Sequence, residues 1–210
     1  MKHTQSFWEI GIDEAGRGPL AGPVAVGVVL VPDDFDWDLL AGVTDSKLLS
    51  EARRECLYKS AKKLEKRGLL YVSVVQVSAK IIDRKGINTA VNCGIARGLE
   101  KVQSKLQFKL QREKVMVKLD GGLWAPPEWV HQETIIKGDA KEKVIGLASI
   151  MAKVTRDRYM RRRATLAAYT PYDFARHKGY GTKAHRAAIA THGPSPEHRR
   201  TFCKNIKGVV

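Results

Sequence analysis

The chain of 210 residues is short of acidic residues, of cysteine and of long apolar runs, and each shortage excludes something. No stretch approaches the roughly 18 apolar residues that a membrane-spanning helix needs. The longest apolar run near the start, Val24 to Val31, follows a segment rich in charge and glycine. Met1 to Phe7 lacks the architecture of a secretory leader, so the protein is expected in the cytoplasm. Cys56, Cys93 and Cys203 are odd in number and widely spaced. They read as buried or bystander thiols in a reducing compartment, not as a disulfide framework or a zinc site. No internal repeat or low-complexity linker divides the chain, so residues 1–210 are expected to form one domain. With 43% hydrophobic residues, disorder is excluded.

The scarcity of acids leaves a large positive excess. Lys and Arg number 37 against 22 Asp and Glu, a formal net charge of +15. Between Lys153 and Lys207 there are fourteen Lys and Arg and three acids, Asp157, Asp173 and Glu197. A clustered excess of this kind points to a polyanionic partner, of which nucleic acid is the commonest. A soluble basic surface without a partner reads the same way from composition alone.

Phe7 to Asp13 alternates apolar Trp8, Ile10 and Ile12 and reads as a strand. After the turn at Gly16, Gly18, Pro19 and Gly22, Ala21 to Val31 reads as a buried, Val-rich strand. Ser50 is a candidate N-cap for a helix to about Lys66, stopped by Gly68. Leu70 to Val77 is a third strand, Ser78 opens a short helix, and Asn88 opens another through about Gln103. Val115 to Leu119, interrupted by Lys118, ends at Asp120, and Thr134 to Ile136 makes a fifth strand. Val144, Leu147, Ala148, Met151 and Val154 recur at helical spacing from about Lys141 to Arg163. From Pro171 onward the sequence reads as short surface helices and loops, a basic helical part over about 165–210. Strands first and then alternation with helices indicate an α/β domain with a mixed sheet.

Asp13 and Glu14 end the first strand, Asp120 ends a later one, and Asp139 precedes the long helix. Carboxylates at strand ends can converge on one side of a sheet. Gathered in a basic protein, they suit a hard divalent cation that bridges them to a phosphate. Each also has a plainer reading: a solvated loop, turn chemistry before Gly121-Gly122, or an acid favoured at a helix N-terminus.

The run Gly11-Ile12-Asp13-Glu14-Ala15-Gly16-Arg17-Gly18-Pro19-Leu20-Ala21-Gly22-Pro23 resembles the opening motif of the type 2 ribonucleases H, specifically bacterial ribonuclease HII. The resemblance continues at Asp45-Ser46-Lys47, Leu119-Asp120-Gly121, Gly138-Asp139 and Ala148 to Asp157. It ends with Lys178-Gly179-Tyr180-Gly181-Thr182 and His192 to Phe202, all in family order. It implies a ribonuclease H-like mixed five-stranded sheet flanked by helices, with a small helical C-terminal extension. It also implies an endonuclease that cuts the RNA strand of RNA–DNA hybrids. Such an enzyme incises 5′ to a single ribonucleotide in duplex DNA and leaves 3′-hydroxyl and 5′-phosphate ends.

Carried over residue by residue, the resemblance makes Asp13, Glu14, Asp120 and Asp139 the ligands of two divalent ions, Mn²⁺ or Mg²⁺. Gly16, Arg17 and Gly18 would meet the 2′-hydroxyl, Tyr180 would pack on the next deoxyribose, and Lys47 would touch substrate. The expected partners are the hybrid and ribonucleotide-containing DNA, bound by a monomer with no membrane association; a contact with a replication clamp is left open. The related ribonuclease HIII carries a long N-terminal domain for which a motif starting at residue 11 is expected to leave no room. The polar stretch from Gln103 to Lys114 departs from the family pattern. So does Gly146, which sits where a helix would gain about 1 kcal/mol from alanine.

Overall fold

The first strand carries the fold's organising alternation. In the computed structural model, which describes residues 8–44, 46 and 48–206, β1 (Trp8–Ala15) pairs antiparallel with β2 (Val24–Pro32). The expected strand start at Phe7 and the candidate Lys47 lie outside the described residues. Every β2 residue but the last is buried, as the unbroken Val-rich run requires. Helix α1 (Glu51–Lys66) begins where Ser50 accepts a hydrogen bond from the Arg53 N–H at 3.2 Å and ends before Gly68. Next come β3 (Tyr71–Val77), α2 (Ala79–Lys85), α3 (Ile87–Gln103) and β4 (Val115–Asp120). The short β5 (Gln132–Ile135) completes a five-stranded sheet in the order β3-β2-β1-β4-β5. The β1–β4 and β4–β5 pairs are parallel, and the other two are antiparallel.

Alternation along the strands divides the core between two faces. Ile10, Ile12, Val24, Val26, Val28 and Leu30 pack toward α3, against Val91, Ile95 and Leu99. Val29 and Val31 join the opposite cluster with Leu57, Ala61 and Leu64 of α1. The expected long helix lies on that second face as one element, preceded by a separate turn. A single turn, α4 (Gly138–Lys141), is separated from α5 (Lys143–Ala164) by Glu142 in an extended conformation. The break lets Glu142 and Glu9 flank the Lys118 ammonium at 2.9 and 2.8 Å, so the lysine interrupting β4 ties three elements together. Helix α5 runs so close to the sheet that a Cβ on Gly11 or Gly27 would strike its backbone, at the carbonyls of Val144 and Ala148.

The C-terminal residues depart from the expectation of loops and short helices on the surface. Helices α6 (Phe174–His177), α7 (Lys183–His192) and α8 (Arg200–Cys203) are indeed short. Together with Met160 of α5 and Leu20 they nevertheless enclose a third apolar cluster of Tyr172, Phe174, Ile189, Cys203 and Ile206. Single apolar residues scattered through a basic stretch give no periodicity, so this core was invisible to pattern reading. The arginine triplet at the end of α5 is also not simply available to a polyanion. Arg161 pairs with Glu51 and Glu55 of α1, and Arg163 lies 2.8 Å from Glu197.

Gly146 supplies a test of packing against propensity. A Cβ there would lie 2.8 Å from the Asp139 carbonyl oxygen and 3.3 Å from Val43. Gly146→Ala should therefore destabilise the protein by about 1–3 kcal/mol, despite a propensity gain of about 1 kcal/mol. Urea denaturation measures the sign, and a more stable variant would show that α4 yields easily.

Candidate active site

Parallel pairing brings the first two carboxylates together. The β1–β4 register sets Ile12 beside Leu119, so the next residues, Asp13 and Asp120, stand side by side at the C-terminal ends of adjacent strands. Glu14 follows on β1, and Asp120 Oδ1 accepts the Gly138 N–H at 2.7 Å, which fastens the start of α4 to the end of β4. A cleft of about 270 Å³ opens here, lined by Asp13, Glu14, Asp120, Ser46, Ser149 and Lys153, by the loop from Gly16 to Gly18, and by Tyr180. Asp139 is buried in α4, 3% exposed, and is not among the residues lining this cleft.

Electrostatics at the site are dominated by burial and mutual repulsion. Asp13 is 4% exposed; burial first, then Glu14 and Asp120, hold its carboxyl well above the ordinary range. Hydrogen bonds from the Ser149 side chain and from the Glu14 N–H, at 2.7 Å to Oδ1, oppose the rise. Glu14 is raised by burial and Asp120, against the opposing Arg17 guanidinium 3.6 Å away. Among the described residues, no group of three or more His, Cys, Asp or Glu side chains is arranged to hold a metal ion. Adjacent, desolvated carboxylates, with Asp13 and Glu14 both held above their ordinary range, do fit a hard divalent cation in their chemistry. As placed, their side chains do not form a finished coordination sphere.

Four residues that sequence reasoning did not single out shape this site. Ser149 Oγ lies 2.7 Å from Ser46 Oγ and also bonds Asp13, linking α5 to the segment after Val43. Its signal was a lone hydroxyl within the buried run from Val144 to Ala152. Lys153 Nζ lies 2.9 Å from Asp157 and 5.8 Å from the centre of the Tyr180 ring. Arg156 and Arg199 are wholly buried and spend their guanidinium groups on main-chain carbonyls. Arg199 donates to Gly16, Arg17 and Gly22, at 2.6, 2.7 and 3.0 Å. Arg156 donates to Pro23, Lys178 and Ala21 at 2.9, 2.9 and 3.0 Å, and its side chain fills the space a Cβ on Gly16 would need. Burial and the neighbouring Arg156 push Arg199 down to about 9, which leaves it charged at neutral pH.

A family model for ribonuclease HII matches residues 10–205. The chain belongs to the ribonuclease HII family. It is 44% identical to the ribonuclease HII of Xanthomonas campestris pv. campestris (strain B100), over 91% of this chain and 73% of that protein. To the ribonuclease HII of Acidovorax sp. (strain JS42) it is 42% identical, over 91% of this chain and 83% of that one. Among solved structures, the ribonuclease H2 from Pyrococcus horikoshii OT3 superposes with a TM-score of 0.68 at 26% identity, covering 95% of this chain and 97% of that one. The protein is thus a ribonuclease H nuclease, of a class that depends on divalent metal and acts on RNA–DNA hybrids. No helix among the described residues is long and apolar enough to cross a membrane.

The raised Asp13 carboxyl gives a stability prediction with a definite sign. Its stabilising contribution is fully present below the ordinary value of 3.8 and is lost as pH rises through the raised folded value. Above the ordinary value the fold disfavours the charged form, so in metal-free protein the carboxyl is a liability that grows as pH rises. Asp13→Asn keeps the acceptor oxygen for the Glu14 N–H and removes the charge. In EDTA it should melt above the parent, by about 2–4 °C for each 1 kcal/mol relieved in a chain of this size. A lower melting temperature for Asp13→Asn would show that the carboxylate is stabilised in place.

Proposed function

We propose that this cleft cuts the RNA strand of RNA–DNA hybrids and incises 5′ to a single ribonucleotide embedded in duplex DNA, leaving 3′-hydroxyl and 5′-phosphate ends. The observation that carries this reading is the convergence on one cleft of Asp13, Glu14 and Asp120 with the Gly16–Gly18 loop and Tyr180. Asp13, Glu14, Asp120 and the adjacent Asp139 would hold two divalent ions, Mn²⁺ or Mg²⁺. Such ions, when bound, supply Lewis-acid charge for hydrolysis of a phosphodiester. The chain acts as a monomer and as one catalytic domain over residues 1–210, with 165–210 as its basic helical part.

The chain's own groups account for positioning and selection. Arg199 turns the carbonyls of Gly16 and Arg17 inward. A trans peptide sets its N–H opposite its C=O, so the N–H groups of Arg17 and Gly18 face away from Arg199, on residues that line the cleft. There they suit the 2′-hydroxyl, the one local difference between a ribonucleotide and its deoxy neighbour. The Arg17 side chain, 2.6 Å from Asn88 Oδ1, stays at the rim. Tyr180 is 44% exposed, and its ring offers a flat apolar face where a further 2′-hydroxyl would crowd. Lys153, beside that ring, and Lys47 supply positive charge toward the backbone phosphates.

A substrate panel tests this reading. A duplex with one ribonucleotide and an all-RNA hybrid should be cut in Mn²⁺ or Mg²⁺, the former 5′ to the ribose. A DNA duplex and single-stranded RNA should survive, and EDTA should abolish cleavage throughout. Asp13→Asn should be inactive, and activity within about tenfold of the parent would remove Asp13 from the site. For Tyr180→Ala the single-turnover rate at the junction should fall up to about a hundredfold, the scale of a 1 Å misplacement, with duplex affinity little changed. Cleavage by that variant at the parental rate would make Tyr180 a packing residue.

A further inference from the structure

Behind Tyr180 lies a buried chain of imidazoles that the cleft does not touch. His185 is fully buried and His198 is 2% exposed, and their Nε2 atoms stand 3.0 Å apart. His198 Nδ1 accepts the Ser195 main-chain N–H at 2.9 Å, so that nitrogen carries no proton. Its proton is therefore on Nε2, which donates to His185 Nε2. The remaining proton of His185 is then on Nδ1, which donates to the Tyr180 carbonyl at 2.8 Å. The polarity of all three hydrogen bonds follows from one main-chain donor.

The ring beside them completes the support. His177 stacks on His185, with centroids 4.2 Å apart and planes 22° from parallel. Its Nδ1 accepts the Gly179 N–H at 3.2 Å, and its main-chain carbonyl accepts the Tyr180 N–H at 2.9 Å. The Tyr180 N–H is thus held by His177, and its carbonyl accepts from both His185 and the Thr182 N–H, the latter also at 2.8 Å, so that His185 is its one side-chain donor among the described residues. Burial keeps His185 and His198 neutral, pushed down to about 4, which the one-proton-per-ring pattern requires. A merely packed core would be served as well by phenylalanine, since Phe174 already lies against both rings at 5.7 and 5.5 Å.

We infer that His185, oriented by His198 and Ser195, is a positioning residue that sets the Tyr180 ring at the cleft through the Tyr180 carbonyl. The inference rests on the reading of Tyr180 given under the proposed function. His185 touches no substrate; it acts only by fixing the main chain from which the ring projects.

The test compares His185→Phe, which keeps the ring's bulk, with His185→Asn, whose amide nitrogen can stand where Nδ1 stands and still donate to Tyr180. Each is assayed below its melting temperature on a duplex with one ribonucleotide. His185→Phe should slow the single-turnover rate by about tenfold or more while duplex affinity stays within about twofold, and His185→Asn should recover most of that rate. In a Tyr180→Ala background, His185→Phe should change the rate by no more than about twofold, because the ring it positions is gone. Parental rate in His185→Phe, equal slowing in both His185 variants, or the same fold loss in the Tyr180→Ala background overturns the inference. If Tyr180→Ala alone cleaves at the parental rate, the reading of Tyr180 fails, and a slow His185→Phe would then locate its effect elsewhere, which also overturns the inference.

Discussion

The approach of α5 to the sheet is the constraint on which the site depends. Its backbone occupies the space that side chains on Gly11 of β1 and Gly27 of β2 would take, on the face opposite α3. At that distance a short side chain on α5 reaches the strand ends: Ser149 meets Asp13, and Lys153 lines the same cleft. One turn further, Arg156 passes beneath Gly16 and gathers the carbonyls of Ala21, Pro23 and Lys178. Were α5 lifted by the width of a methyl group, all three of these connections would lengthen together. Helix position and site geometry are the same variable here.

A second tension runs between the two signs of charge. The cleft concentrates carboxylates that burial and repulsion push toward the protonated form, while the layer beneath the Gly16–Pro23 loop holds two buried guanidinium groups. Among the described residues, neither Arg156 nor Arg199 gives a guanidinium hydrogen bond to a carboxylate; each gives three to carbonyl oxygens. Carbonyls compensate a buried cation less fully than a carboxylate would, so the arrangement is expensive. It also does what a neutral core cannot. A planar fork of donors fixes several peptide orientations at once, and so decides which way the loop's N–H groups face.

Much of this was legible in the sequence, and the reasons differ by element. The buried run of β2 and the Ser50 cap are local signals, readable one residue at a time. Asp13, Glu14 and Asp120 were legible as strand-end acids, and the parallel register then makes two of them neighbours. Asp139 was placed correctly ahead of the long helix, but the break at Glu142 that gives it a turn of its own goes with a long-range bridge to Lys118, which local pattern does not see. Gly146 looked like a weak helix residue because propensity sees only the helix; the Asp139 carbonyl that needs its bare Cα comes from the neighbouring turn. Arg199 and His198 were hidden most completely, being charged or titratable residues inside a basic tail whose burial only tertiary structure creates.

That burial changes what the +15 means. Composition treats the cations between Lys153 and Lys207 as one field facing a polyanion. In the fold, Arg156 and Arg199 are internal, and Arg158, Arg161 and Arg163 lie against Glu55, Glu51 and Glu197. Lys153 shares its charge with Asp157 at the edge of the cleft. Cations already matched by carboxylates would release fewer counterions to a polyanion than their number suggests, so net charge overstates the charge this segment leaves available for one. The basic tail therefore serves two ends that composition cannot separate. Part of it is surface charge of the kind a polyanion would meet, and part of it is scaffolding that holds the loop from Gly16 to Pro23 and the turn at Tyr180 in register with the strand-end carboxylates.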